Sequence, residues 1–166
     1  MFQPLLRLAT GSLMMSLALC ASAGNGSTSY KDLTLSGVFQ EAAGPAARCP
    51  SNFGGNIAGF GDSDLFGRVA FLASDCITPN GVNYTFSDGR FMITTMTGEM
   101  VFATYSGQFV ATGAGTNFVF SNATFQITGG TGRYARATGG GTIAGGEDMA
   151  TGKGTIQLTG RVLLKH

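Results

Sequence analysis

The sequence has few charged residues and almost no histidine, and both shortages narrow the functions open to it. Charged residues make up 11% of the 166-residue chain, and the single histidine is the last residue, His166. Chain ends are usually poorly ordered, so serine–histidine and cysteine–histidine catalysis lack a well-held base. Lys and Arg together number 10, against 9 acidic residues. This balance gives no long-range attraction to nucleic acid or to anionic membranes, and we expect neither as a partner.

Tryptophan is absent, and no segment shows the pattern of an amphipathic helix, whereas glycine is abundant. The chain contains 27 glycines, and glycine destabilises helix interiors. Apolar residues nowhere recur at the 3.6-residue period of a helix. The composition therefore favours strands and tight turns, and it argues against a parallel sheet, whose crossovers need helices.

The N-terminal residues have the features of a signal peptide. Arg7 precedes an uncharged stretch rich in Leu, Met and Ala, which ends in the small-x-small motif Ala21-Ser22-Ala23. The stretch is too short and too interrupted by polar residues to span a membrane. We therefore predict a signal peptide at 1–23, export to the periplasm or the extracellular space, and no membrane span.

Cleavage before Gly24 would leave a chain of ordinary single-domain size. We assign 24–31 to a flexible N-terminal segment and 32–166 to one folded domain. An alternative is lipid attachment at Cys20, although Leu19 stands where a lipoprotein signal carries a small residue.

Two cysteines, Cys49 and Cys76, lie in the predicted mature chain. An even pair in an exported protein most often forms a disulfide. Two cysteines with no histidine nearby cannot complete a zinc shell. We therefore predict a Cys49–Cys76 disulfide, no metal and no cofactor.

Alternation of apolar and polar residues predicts strands throughout the domain. It is clearest in the first and last segments, where one parity holds Leu33, Leu35, Gly37, Phe39 and Ile156, Leu158, Gly160, Val162. Between them lie the further strand candidates 56–60, 65–74, 84–86, 90–96, 100–105, 118–127 and 140–144. We expect turns at Asn80-Gly81, Asp88-Gly89, Thr97-Gly98 and 145–148.

One strand candidate changes parity within its length. Phe118 and Phe120 share one parity, whereas Ala123, Phe125 and Ile127 share the other. A bulge near Ser121-Asn122 would put all five side chains on one face. Short strands, turns and a bend predict an antiparallel barrel or sandwich.

A glycine-rich run, Thr128-Gly129-Gly130-Thr131-Gly132-Arg133-Tyr134, stands out in the second half of the chain. Similar runs bind dinucleotides, but only where a helix follows. Here Gly139-Gly140-Gly141 follows shortly after, so we interpret the run as a corner between two strands.

Residues 125–141, which include this run, resemble the corner of the allene oxide cyclase and dirigent barrels. They are closer still to small secreted bacterial proteins of that type, as are the Thr97-Gly98-Glu99 hairpin and the placement of Cys49 and Cys76. The resemblance implies an all-β, calycin-like closed antiparallel barrel of about eight strands, often assembled into homo-oligomers. Arg136 stands where the bacterial proteins usually have glycine. No catalytic residue of the plant enzymes has a match here, so the resemblance implies a fold and no activity.

Arg133, Tyr134 and Arg136 are the candidate ligand-binding residues, because arginine grips anions and an aromatic ring stacks on ligands. The alternative is structural: the arginine stems cover apolar surface, and Tyr134 anchors the corner.

Carboxylates are the remaining candidates for catalysis. They are Asp62 with Asp64, Asp75 alone, and Glu147 with Asp148. Asp62 and Asp64 lack the further ligands of a calcium loop. For all five, solvated turn acids are the default interpretation.

Three functions stay open. The first is a non-catalytic barrel that binds a small apolar ligand. The second is a structural or interaction module of the cell envelope. The third, and the least favoured, is a cyclase or isomerase of a hydrophobic intermediate.

Overall fold

The computed structural model describes residues 29–164 as eight strands and one short 3-10 turn. The strands are β1 Tyr30–Pro45, β2 Phe53–Ser63, β3 Gly67–Asn80, β4 Asn83–Thr95, β5 Met100–Ala111, β6 Asn117–Gly130, β7 Thr138–Asp148 and β8 Lys153–Leu163. The 3-10 turn, Gly132–Tyr134, lies between β6 and β7. The predicted signal peptide, Cys20 and His166 lie outside the described residues.

The strands form a closed antiparallel barrel. Each strand pairs with the next, and β8 pairs with β1. Closure leaves no strand edge free. The prediction of an all-β, closed antiparallel barrel of about eight strands is confirmed, whereas the calycin-like subtype stays a prediction. β1 begins at Tyr30, two residues before the expected start of the domain. Among residues 29–164, no helix is long and apolar enough to cross a membrane.

Alternate side chains of every strand fill the interior. In β1, Leu33, Leu35 and Phe39 are buried, while their neighbours Thr34 and Gln40 are exposed. An eight-stranded barrel is just wide enough for such side chains to fill it. Aromatic rings dominate one half of the core, where Phe86 lies 4.8 Å from Phe109 and 6.0 Å from Phe120, measured between ring centroids.

The bulge expected in β6 is present. Asn122 has a left-handed backbone, φ 49°, and the pairing of β6 shifts on both sides of it. As a result Phe118 and Phe120 pack against the same core as Phe125. The change of parity in the sequence thus marks a bend of one continuous strand.

Two expected turns are wrong. Asp88-Gly89 lies inside β4 as a bulge, with Asp88 at φ 49° and a register shift between Phe86 and Gly89. Residues 145–148 belong to β7, and the chain turns only at 149–152. Asp-Gly and Gly-Gly pairs suit any tight backbone. In β7 the two glycines let the neighbouring strands approach closely. A Cβ at Gly145 would meet the backbone of β8, and a Cβ at Gly146 would meet the backbone of β6.

The two ends of the barrel differ in chemistry. Strands β1, β3, β5 and β7 run towards one end, called here the acidic end, where Glu41, Asp75 and Glu147 lie inside the wall. The opposite end, called the corner end, is closed by the ring of Tyr134, which packs edge-on against Phe66 at 5.3 Å.

Candidate functional site

The predicted ligand-binding residues lie at the corner end. The side chain of Tyr134 is 1% exposed and belongs to the core. Arg133 forms an ion pair with Glu99, Nε to Oε2 3.1 Å, and its guanidinium lies 4.9 Å from the centroid of the Tyr134 ring. Arg136 is exposed. The corner therefore buries Tyr134, whereas both arginines stay exposed, with Arg133 held against Glu99.

The cysteine pair lies at the acidic end. The sulfur atoms of Cys49 and Cys76 lie 2.07 Å apart, in agreement with the predicted disulfide. The bond ties the loop between β1 and β2 to the end of β3. Because Cys76 follows Asp75 directly, the disulfide also fixes the strand that carries one of the buried acids.

Three buried carboxyl groups face the interior at the acidic end. Glu41, Asp75 and Glu147 are 6%, 1% and 6% exposed. Each shares the parity of its strand's core residues, such as Phe39 in β1 and Ala73 in β3. Acidic side chains are almost never buried unless they are paired, so this cluster needs an explanation beyond packing.

Asp75 is the best satisfied of the three. The Tyr105 hydroxyl donates a hydrogen bond to its Oδ2 at 2.9 Å, and the amide of Gly55 donates to its Oδ1 at 3.3 Å. Burial raises the pKa of Asp75, and these two hydrogen bonds partly oppose that rise. Burial, followed by the charge of Asp75, raises the pKa of Tyr105 far above its ordinary value. Tyr105 therefore acts as a donor to Asp75 throughout the physiological range.

Glu41 is the least satisfied. Among residues 29–164, its carboxyl group has no hydrogen-bond partner other than the carboxyl group of Glu147, to which a protonated Glu41 donates. Burial, followed by the hydrogen bond with Glu147 and the charge of Glu147, raises the pKa of Glu41 to about 9. Burial also raises the pKa of Glu147. Glu41 is thus a neutral carboxylic acid at pH 7, able to donate as well as accept a hydrogen bond.

Gly55 makes room for the cluster. A Cβ at this position would collide with the carboxyl group of Glu41 and would lie 3.1 Å from Oδ1 of Asp75. Only glycine lets both acids occupy the space beside β2 while the backbone amide still reaches Asp75.

A small cavity of about 40 Å³ lies next to the acids. Glu41, Asp75 and Tyr105 line it together with a phenylalanine-rich wall, comprising Phe39, Phe71, Phe86, Phe91, Phe109, Phe120 and Phe125, with Ile57, Ala73, Ile143, Ile156 and Leu158. This volume suits a group of a few atoms. Within residues 29–164, no three histidine, cysteine or acidic side chains are arranged to hold a metal ion.

Comparison of the chain with protein-family models, with curated proteins and with solved structures finds no match. The candidate site is therefore argued from its own geometry.

The cluster was only partly visible in the sequence. The sequence pattern predicts that Asp75 and Glu147 are solvated turn acids, and for both that prediction is wrong, because they lie inside the wall. Asp148 is the half-buried last residue of β7, and its side chain accepts a hydrogen bond from the amide of Ala150 in the turn that follows. Asp62 and Asp64 are at the corner end, outside the cluster.

Glu41 was missed altogether. The alternation of β1 could have revealed it, because Glu41 occupies the next inward position after Leu33, Leu35, Gly37 and Phe39. An acid at the end of an apolar series is usually taken as the point where the strand leaves the core. Here β1 continues to Pro45, so Glu41 stays inside.

Proposed function

We propose that this protein binds a small, mostly apolar molecule bearing a hydroxyl or carbonyl group in the acidic end of its barrel. The observation that supports this most is Glu41, a buried carboxyl group that lines a phenylalanine-rich cavity and whose only hydrogen-bond partner among residues 29–164 is the carboxyl group of Glu147. A buried polar group without a partner costs about 1–3 kcal/mol. A ligand that hydrogen-bonded to the Glu41 carboxyl oxygens, whose acceptor capacity Glu147 does not use, would recover part of that cost, and the rings would hold its apolar part.

Entry of a ligand larger than a few atoms requires a ring to move. Phe120 is the suited ring, because it is only half-buried and lies just before the backbone bend at Asn122. Its ring stacks on Phe39 at 6.1 Å and touches Phe86 and Phe109. Rotation of Phe120 would enlarge the cavity towards the acidic end without breaking a strand pairing.

The resemblance to secreted barrels, the disulfide and the predicted signal peptide favour a site of action outside the cytoplasm. Both a homo-oligomer and the envelope-module alternative remain compatible with this placement.

Matched aromatic probes test the binding proposal. We expect p-cresol to bind more tightly than toluene, because only the phenol can hydrogen-bond to the Glu41 carboxyl. Glu41→Leu should abolish this preference, whereas Glu41→Gln, which keeps a donor and an acceptor, should retain part of it. Asp62→Asn, an exposed acid at the corner end, is the control. Equal affinities of the wild type for the two probes, measured by calorimetry or NMR titration, would refute the proposal.

A second candidate is a cyclase or isomerase, and the neutral Glu41 favours it. A carboxylic acid that stays protonated near neutral pH can deliver a proton to a bound apolar intermediate. Turnover of a bound molecule that is lost in Glu41→Gln, while binding persists, would support it. Binding with no turnover would leave the non-catalytic function.

A further inference from the structure

The outer face of the barrel carries a second feature, unrelated to the acidic cluster. A groove of about 1070 Å³ runs across β4 to β8, lined by backbone and polar side chains of these strands, which include one exposed acid, Asp88, together with Tyr30 and Arg48. From this groove we infer that the protein binds an extended anionic oligosaccharide on its outer wall.

Strand register places two arginines at opposite ends of one row. Arg90 pairs with Thr104, Thr104 with Gln126, Gln126 with Gly140 and Gly140 with Arg161. Directly paired residues of antiparallel strands share a face, so all five point outwards. Four strand spacings separate the arginines, about 19 Å along the curved wall. The row thus has a cation at each end and uncharged hydrogen-bonding groups between.

Glycines deepen the middle of the groove. Gly139, Gly140 and Gly141 line it without side chains. They are required here because a Cβ at Gly140 would lie 2.6 Å from the carbonyl oxygen of Phe125. Between Gln126 and Arg161 no side chain rises from β7, so the backbone of this strand is accessible. An oligosaccharide chain could therefore lie across the strands at this point.

The arginines are available to a ligand. Arg90 is exposed and forms no salt bridge among residues 29–164. Arg161 lies 3.6 Å from a solvent-exposed Asp32 and 5.0 Å from the centroid of the Tyr30 ring. Exposed ion pairs of this length contribute little, so an anion can compete for Arg161. Arg48 reaches over the groove from its loop and donates to the carbonyl of Asp88 at 3.3 Å.

The lining fits an acidic sugar chain better than other polyanions. Serine and threonine hydroxyls and the Gln126 amide, from Ser87, Thr104, Ser106, Thr124 and Gln126, match sugar hydroxyls. Arginine forks match carboxylates and sulfates. A nucleic acid would need stacking rings along the row and a wider positive surface. An acidic peptide would gain from a free strand edge, and a closed barrel has none.

Binding of defined oligomers tests the inference. The probes are an oligogalacturonate, a sulfated heparin-derived oligosaccharide, neutral maltohexaose and an oligothymidylate, each long enough to reach from Arg90 to Arg161. We expect at least one acidic sugar to bind and the neutral sugar not to. The stronger of the two identifies carboxylate or sulfate as the recognised group. NMR shifts should map to Thr104, Gln126 and Gly140.

Single-charge variants locate the site. Arg90→Gln and Arg161→Gln should each weaken binding about tenfold, since hydrogen bonds to a charged group are lost. Arg68→Gln removes the same charge from an exposed arginine outside the groove and should change affinity less than about twofold. Failure of both acidic sugars to bind, an equal loss in Arg68→Gln, or tighter binding of the oligothymidylate would each overturn the inference.

Discussion

The buried acid Glu41 makes the stability of the barrel depend on pH in an unusual direction. In the folded protein its pKa is about 9, against an ordinary value of 4.5. The folded state therefore holds a proton that the unfolded chain has released over this whole window. A raised folded pKa gives stability that is fully present below about pH 4.5 and is lost as the pH rises through 9.

The size of the effect follows from proton linkage. For each proton that only the folded state binds, the unfolding free energy falls by about 1.4 kcal/mol per pH unit as the pH rises. Between about pH 5.5 and 8.5, Glu41 alone should lower the unfolding free energy by about 4 kcal/mol. That is a large share of the 5–15 kcal/mol typical of a domain.

Urea denaturation followed by far-ultraviolet circular dichroism measures this dependence, with the disulfide kept oxidised. Glu41→Gln carries a neutral amide at every pH. A plot of its unfolding free energy against pH should therefore fall less steeply than that of the wild type, by the slope that one proton contributes, about 1.4 kcal/mol per pH unit. Glu99→Gln is the control, because a hydrogen bond from the backbone amide of Arg133 lowers the pKa of Glu99. The pH dependence arising from Glu99 therefore lies below the window. Parallel curves for the wild type and Glu41→Gln would refute a neutral, buried Glu41.

Three further variants and one control test the packing of the barrel, each by equilibrium denaturation. Gly55→Ala should destabilise the fold by about 1–3 kcal/mol, because its Cβ would collide with Glu41. Gly44→Ala, with nothing within 4 Å of the new Cβ, should be close to neutral, and equal effects of the two would contradict the crowding. Replacing both Cys49 and Cys76 by serine should cost about 3.5 kcal/mol on the loop-entropy model for a separation of 27 residues, and an unchanged urea midpoint would contradict this. Tyr134→Ala should cost about 3–5 kcal/mol by opening the corner end; a loss below about 1 kcal/mol would show that the ring does not close that end.

The strands and the bend in β6 could be predicted because their physical signals are local, whereas a closed barrel of about eight strands, rather than a sandwich, was what the family resemblance implied. Strand alternation and the β6 change of parity report which face a side chain takes, and each depends on only a few neighbouring residues. The same reasoning failed at Asp88-Gly89 and at 145–148. Glycine there serves close strand packing, a property of the neighbouring strand that local sequence does not contain.

The candidate site was harder to foresee because it is assembled from distant strands. Glu41, Asp75 and Glu147 belong to β1, β3 and β7, and only barrel closure brings them together. Local composition suggested solvent for Glu147, which stands among glycines beside Asp148. The motif predicts ligand binding at Arg133 and Tyr134; their contacts with Glu99 and Phe66 agree with the structural alternative, in which Tyr134 anchors the corner.

Native mass spectrometry of residues 24–166, purified from the source organism without refolding, tests the central proposal most directly. We expect a stoichiometric small-molecule adduct that leaves on denaturation and that is lost or reduced in Glu41→Leu prepared in the same way. A bare mass for the wild type at every assembly size would contradict ligand binding at the acidic end. It would favour an envelope module whose buried acids serve no ligand.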